Sequence, residues 1–383
     1  MAAGTSRKIS AASARSHTRR AKQSSGLTLP SGIFPGVLLV VLAGLVAWGY
    51  QAIQPPPPKI CGSSDGPLVT ASRIKLRDGR HLAYREHGVS KDVAKIKVVF
   101  IHGFDVCRLD DVIANYTSPE LVEELGIYFV SYDRPGYGES DPHPSRTVKS
   151  QVSDIEELAD QLGLGSKFYL IGYSLGGQLG WGCLKYIPHR LAGVTLLTPA
   201  SNYWWPGFPS NLSTEALYKH PPCDYWSLRV AHYAPWLTHW WNTQNWFPIL
   251  GAISKSPHIL SREDKEVVAK LIAKGVDNMV IFLCEHVRQQ GEYESLHRDL
   301  NVGFGNWEFD PVEMENPFTN NEVSVHLWQG DEDILVPAIL QRYIAERHSS
   351  WIQYHELAGS GHFFPYLDGM ADTIVKTMLN DKE

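Results

Sequence analysis

At 383 residues the chain can bury one large core or two, and its 43% hydrophobic and 20% charged content is that of a globular protein, which excludes wholesale disorder. Basic charge collects at the start, where Arg7, Lys8, Arg15, Arg19, Arg20 and Lys22 fall within the first 30 residues with no acid among them. Of the 35 Lys and Arg the other 29 face 41 Asp and Glu, so residues 31–383 carry −12, which disfavours nucleic acid as the partner of the folded part.

Residues 1–30 are expected to be a basic, disordered tail. No charged residue occurs between Lys22 and Lys59, and IFPGVLLVVLAGLVAWGY (33–50) is almost wholly apolar. Eighteen helical residues rise about 27 Å, near the thickness of a thin hydrocarbon layer. Trp48 and Tyr50 stand where interfacial aromatics settle, opposite the basic flank. We therefore expect a single transmembrane helix over 31–52. By the positive-inside tendency, the N-terminus stays cytosolic and the remainder enters the lumen of the endoplasmic reticulum or secretory pathway. A cleaved signal peptide and an organelle transit peptide are the alternatives. Residues 53–66 read as a linker stiffened by Pro55–Pro58. The sequons at Asn115 and Asn211 suit a lumenal domain, although one or two arise by chance in a chain of this composition.

From residue 67 the pattern is that of a folded domain. RIKLRDGRHLAYREHG (73–88) alternates around Asp78-Gly79 and predicts a hairpin. Apolar runs at Lys97–Ile101, Ile127–Tyr132, Phe168–Gly172, Val194–Leu197, Val323–Trp328 and Ile352–Glu356 predict strands. Helices are predicted at Ser118–Leu125, Val148–Leu162, Leu175–Tyr186, Pro337–Arg347 and Tyr366–Met378. Strands alternating with helices mean a mostly parallel sheet with helices on both faces. Residues 201–322 interrupt that rhythm with eight of the twelve tryptophans and a helical middle at Arg262–Gln290. They read as an inserted cap over the carboxyl edge of the sheet, with the rings collectively arguing for an apolar or aromatic-lined pocket.

GYSLG (172–176) fits G-x-S-x-G, a strand-to-helix turn that presents a serine on a strained elbow. Its hydroxyl needs a base. His362, in the glycine-rich GSGHF (359–363) after the last predicted strand, is best placed of sixteen histidines to supply it. The acid between them should follow the strand Val323–Trp328, within GDEDILVP (330–337). Asp333 is preferred to Asp331, because the loop brings the later carboxylate under the imidazole, and Glu332 is expected to be solvated. Backbone N–H groups of Leu175 and Phe104 would form the oxyanion hole, with His102 structural. Five cysteines without a CxxC pair indicate neither a zinc cluster nor a disulfide scaffold. No nucleotide loop or cofactor motif occurs.

HGF (102–104), YDRPGYGESD (132–141), GYSLGG (172–177), QGDEDILVP (329–337) and GSGHFFP (359–365) together resemble the α/β-hydrolase superfamily over residues 70–380. In style the chain is similar to plant members grouped with carbon–carbon bond hydrolases and epoxide-hydrolase-like proteins. The resemblance implies Ser174 as nucleophile, Asp333 as acid and His362 as base, with Asp133 and Arg134 shaping a turn and taking no part in the reaction. Serine at 174 departs from the aspartate of epoxide hydrolases and dehalogenases, and points to acyl chemistry on a small apolar or lipid-like ester. The alternatives it leaves are a receptor-like ligand-binding protein with little turnover and an acyltransferase using the same residues.

Overall fold

A computed structural model describes residue 4 and residues 33–274, 285–318 and 323–380. The basic tail (Gly4 apart), Cys284 and the middle of the helix expected at 262–290 thus lie outside the described residues. The chain divides into two compact units, residues 1–52 and 53–383. The first contains a helix, Ile33–Ile53, without a charged residue, and its stretch Phe34–Ile53 is long and apolar enough to cross a membrane.

The second unit is built on an eight-stranded sheet. Strands β1 (Ser72–Lys75) and β2 (His81–Gly88) form the hairpin. They are followed by β3 (Ile96–Ile101), β4 (Ile127–Tyr132), β5 (Phe168–Tyr173), β6 (Leu191–Leu197), β7 (Val325–Gly330) and β8 (Ile352–Leu357). The spatial order is β1-β2-β4-β3-β5-β6-β7-β8, parallel from β4 onward and antiparallel at β1/β2 and β2/β4.

Strand periodicity sorts the core onto two faces. Val99 and Ile101 point to the face covered by helices Val148–Gln161, Leu175–Tyr186 and Ala338–Arg347, through Val152, Ile155, Leu179 and Ile344. Their neighbours Val98 and Phe100 point to the other, covered by Val112–Tyr116, Pro119–Leu125 and Met370–Asn380 through Ile113, Val122 and Ile374. Each such side chain, once buried, contributes about 1.5–3 kcal/mol.

The cap runs between β6 and β7 through helices Ser210–Tyr218, Pro222–Tyr233, Thr238–Thr243, Gly251–Ser254, Arg262–Ala273 and Arg298–Gly303. One expectation needs correction, and two local contacts are added to the others. The helix expected over Tyr366–Met378 begins at Met370, after a 3-10 turn at Phe364–Tyr366, because Gly369 takes φ 77° and breaks the run. Ser118 starts its helix without capping it, since its hydroxyl donates to Asp372 instead. Within the expected linker 53–66, contacts with the folded body begin at Lys59. The Lys59 N–H donates to the Gln290 carbonyl, and buried Cys61 donates its N–H to Gln290 Oε1 at 3.1 Å.

This docking continues at Thr70 and Ala71, whose N–H groups donate to Glu139 Oε2 at 2.7 and 2.9 Å, while the Thr70 hydroxyl donates to Oε1. Burial alone would raise the Glu139 pKa, but these bonds and the Arg108 guanidinium hold it down at about 2. A carboxylate depressed on folding stabilises the fold above its unfolded value, near 4.5, and loses that contribution as pH falls toward 2. Urea midpoints between pH 7 and 3 should therefore fall less steeply for Glu139→Gln than for the parent.

Candidate active site

Strand β5 delivers its last residue, Tyr173, into a turn so tight that Ser174 adopts φ 55°, ψ −119° before helix Leu175–Tyr186 starts. An L-residue is strained there, and the surrounding bonds hold it. The Ser174 N–H donates to Leu197 O at 2.9 Å, and its carbonyl accepts from Gly177 and Ala200. The flanking glycines are a steric requirement. A Cβ at Gly172 would lie 2.7 Å from Gly176 O, and one at Gly176 would lie 2.1 Å from Ile101 O at the end of β3. That contact sets the β3 loop against the elbow, with Gly103 packed on the Ser174 side chain.

His362 and Asp333 come from the loops after β8 and β7. Asp333 Oδ2 lies 2.8 Å from His362 Nδ1, and both side chains are buried. The other oxygen, Oδ1, accepts from the Leu335 and Val336 N–H groups at 2.9 and 2.8 Å, which fixes the carboxylate plane. Asp331 instead accepts from the Ser360 amide, and Glu332 is exposed. Burial would push the His362 pKa down, but the charge and hydrogen bond of Asp333 reverse that, and Asp264 adds to the rise. His362 and Ser174 line one cavity, although among the described residues no hydrogen bond joins them. Such bonds commonly tighten only when a substrate is bound.

Asp264 is a residue that sequence reasoning missed. It belongs to cap helix Arg262–Ala273, is fully buried, and its Oδ1 accepts the Phe363 N–H at 2.7 Å. A Cβ at Gly361 would lie 2.3 Å from the same oxygen, so the cap grips the loop on both sides of His362. The local signal was Ser261-x-x-Asp264, a helix-start pattern whose serine does cap the helix.

A second unforeseen acid, Asp299, organises the loop after β3. It accepts from Arg134 and from the Tyr137 hydroxyl at 2.7 Å, and from Arg146 at 3.2 Å. Arg134 also donates to the Gly103 carbonyl at 2.7 Å. The Arg134 amide donates to His102 Nε2, so the His102 proton resides on Nδ1, which donates to the same Gly103 carbonyl at 2.9 Å. Burial, then the nearby Arg134 charge, keeps the His102 pKa well below its ordinary value and the ring neutral. The planar peptide that carries this doubly bonded carbonyl carries the Phe104 N–H on its opposite edge. Phe104 and Leu175 line the cavity beside Ser174, and among the described residues neither amide has another acceptor.

The cavity, about 100 Å³, is walled by Leu228, Leu250, Leu300 and Phe304 of the cap. None of the eight cap tryptophans lines it; its aromatic walls are Phe104, Tyr203 and Phe304. Its polar walls are Tyr203, His220 and Asp224. The Tyr203 hydroxyl and His220 Nε2 lie 2.5 Å apart, and burial lowers the His220 pKa to about 4. A hollow of about 200 Å³ near Arg146, Tyr186 and Trp307 is larger but contains neither Ser174 nor His362.

A sequence model described as the alpha/beta hydrolase family matches residues 98–376. A Bacillus subtilis protein named for 2-succinyl-6-hydroxy-2,4-cyclohexadiene-1-carboxylate synthase is 31% identical over 126 residues, 32% of this chain and 42% of that protein. The chain spans less than half the length of the curated relatives it matches. A thermophilic esterase from Thermogutta terrifontis superposes with TM-score 0.52 at 17% identity, over 81% of this chain and 97% of that one. An enol-lactonase from Burkholderia xenovorans gives 0.53 at 15% identity, over 80% and 98%. At these identities the two structures share the fold.

The strained elbow has a measurable signature. Glycine tolerates φ 55°, ψ −119° without the Cβ penalty, so Ser174→Gly should be more stable than Ser174→Ala by about 1 kcal/mol in urea unfolding.

Proposed function

Because this chain belongs to the alpha/beta hydrolase family, we propose that it is a serine hydrolase that cleaves a small apolar carboxylic ester through an acyl-enzyme. The observation that carries this reading is the buried Asp333–His362 pair, which opens onto the cavity holding Ser174 on its elbow. Ser174 Oγ attacks the ester carbonyl carbon while His362 Nε2 takes the hydroxyl proton. Asp333 holds the proton on Nδ1 and stabilises the imidazolium. The carbonyl oxygen becomes an oxyanion facing the Phe104 and Leu175 N–H groups. Collapse expels the alcohol, protonated from Nε2, and water then cleaves the acyl-serine by the same route in reverse. Delivery of the acyl group to a second alcohol would use the same residues, and product analysis separates it from hydrolysis.

Leu228, Leu250, Leu300 and Phe304 support an apolar acyl or alkoxy group beside the serine. We assign hydrolase function to the domain from residue 67 onward, capped by 201–322, with residues 59–66 docked onto it. The apolar helix and its basic flank support a single-pass anchor with the catalytic part lumenal. Asn115 and Asn211 are both exposed, as glycan acceptors must be.

A fluorophosphonate probe should label the parent and fail to label Ser174→Ala; persistent labelling of that variant overturns the reading. Asp333→Asn should cost about 10³–10⁴-fold in kcat. Neutral His362 is the working base, and Asp333 raises its pKa, so in this variant the acid limb of the kcat/KM profile should move to lower pH. Asp299→Asn should loosen the Gly103–Phe104 peptide. The expected result is about 10–100-fold weaker binding of a trifluoromethyl ketone, with ester KM changed far less.

A further inference from the structure

The cap carries an outer face that the proposed chemistry does not use. From Tyr225 to Arg262, 38 residues, there is no Asp or Glu, whereas 41 acids in 383 residues would place about four in such a stretch. Arg229, Lys255 and Arg262 are its cations, on a body that is otherwise acidic. The same stretch holds five tryptophans, and burial does not account for three of them. Trp226, Trp236 and Trp246 are 51%, 60% and 77% exposed, with Tyr233 and Phe247 exposed beside them.

These rings form a connected surface. Arg229 lies over Tyr225, Trp226 and Tyr233, with its guanidinium carbon 5.2–5.8 Å from the three ring centroids. Trp241 Nε1 donates to Ser227 Oγ, joining helix Pro222–Tyr233 to Thr238–Thr243. On that second helix Trp240 packs against Trp246, and Trp241 stacks on Phe247. Helix Pro222–Tyr233 has two working faces, since Leu228 lines the cavity while Trp226 and Tyr233 are exposed and Arg229 is half-buried between them.

We propose that this face docks on a lipid bilayer. Exposed tryptophan and tyrosine beside an arginine, in a stretch of chain without acids, is a composition that settles at the headgroup level of a membrane with anionic lipid. A water-facing surface would gain nothing from three unburied indoles, and a basic protein partner would be met by acids, which are lacking here. The chain also supplies a helix of membrane-spanning length, and only residues 54–58 separate it from Lys59, where docking onto the folded body begins.

The test uses the full-length chain reconstituted into phosphatidylcholine–phosphatidylserine vesicles. With Cys223 and Cys284 replaced by serine, an environment-sensitive fluorophore is attached at Trp246→Cys, at Phe247→Cys and, as a control, at exposed Glu346→Cys. Bilayer docking predicts quenching of the first two labels by acyl-brominated lipid and at least fivefold protection from aqueous iodide, with the reverse at 346. Iodide access at all three positions overturns the proposal. So does shielding of 246 and 247 from both quenchers, which would mean that protein covers the face. A combined Trp236→Ser, Trp246→Ser, Phe247→Ser variant should lose at least tenfold on an ester dispersed in vesicles and keep its turnover of a water-soluble acetate ester. Equal turnover of both would count against docking. Quenching reads the surface whether or not Ser174 reacts, so failure here and failure of the hydrolase reading are separable.

Discussion

One close approach organises the molecule. The Gly176 backbone lies so near the Ile101 carbonyl that no side chain fits between them. The start of helix Leu175–Tyr186 is thereby pressed onto the end of β3. This is a packing constraint, yet its result is electrostatic. Two residues from different segments, Phe104 and Leu175, line one cavity beside a serine, and neither has another acceptor for its amide among the described residues. The strain at Ser174 is the local cost, and three backbone hydrogen bonds hold it in place.

The cap is tied to this arrangement by two buried carboxylates that act on different loops. Asp299 draws Arg134, Tyr137 and Arg146 together and through Arg134 fixes the Gly103 peptide. Asp264 fixes the peptide after His362. Removing one member of a buried ionic cluster commonly costs 3–5 kcal/mol, because the remaining charges lose their compensation. The cap is therefore part of the framework that holds the loops in register, as well as a wall of the cavity.

How much of this was legible in sequence follows from how local each signal is. The elbow, the HGF loop, the acid loop and the histidine loop each carry their chemistry within a few neighbouring residues, and periodicity found the strands between them. Asp333 could be preferred to Asp331 because loop position alone distinguishes them. Asp264 and Asp299 left no such trace, since they act on residues 99 and 165 positions away in the chain. The tryptophans were less informative for a related reason. Composition registers that a segment is aromatic, but which way each ring turns is decided by tertiary packing, and here the rings turn into the cap or outward. The docking of residues 59–71 was hidden because its partners, Glu139 and Gln290, lie far along the chain.

That docking also decides where the chain could be divided without harm to the fold. A protease acting among Pro55–Pro58 would shed a body with every bond from Lys59 to Ala71 still made, including those that satisfy Glu139 and Gln290. A cut a dozen residues later would leave a fully buried carboxylate short of its donors. The seam between the apolar helix and the body thus falls where a break in the chain leaves every one of those bonds in place.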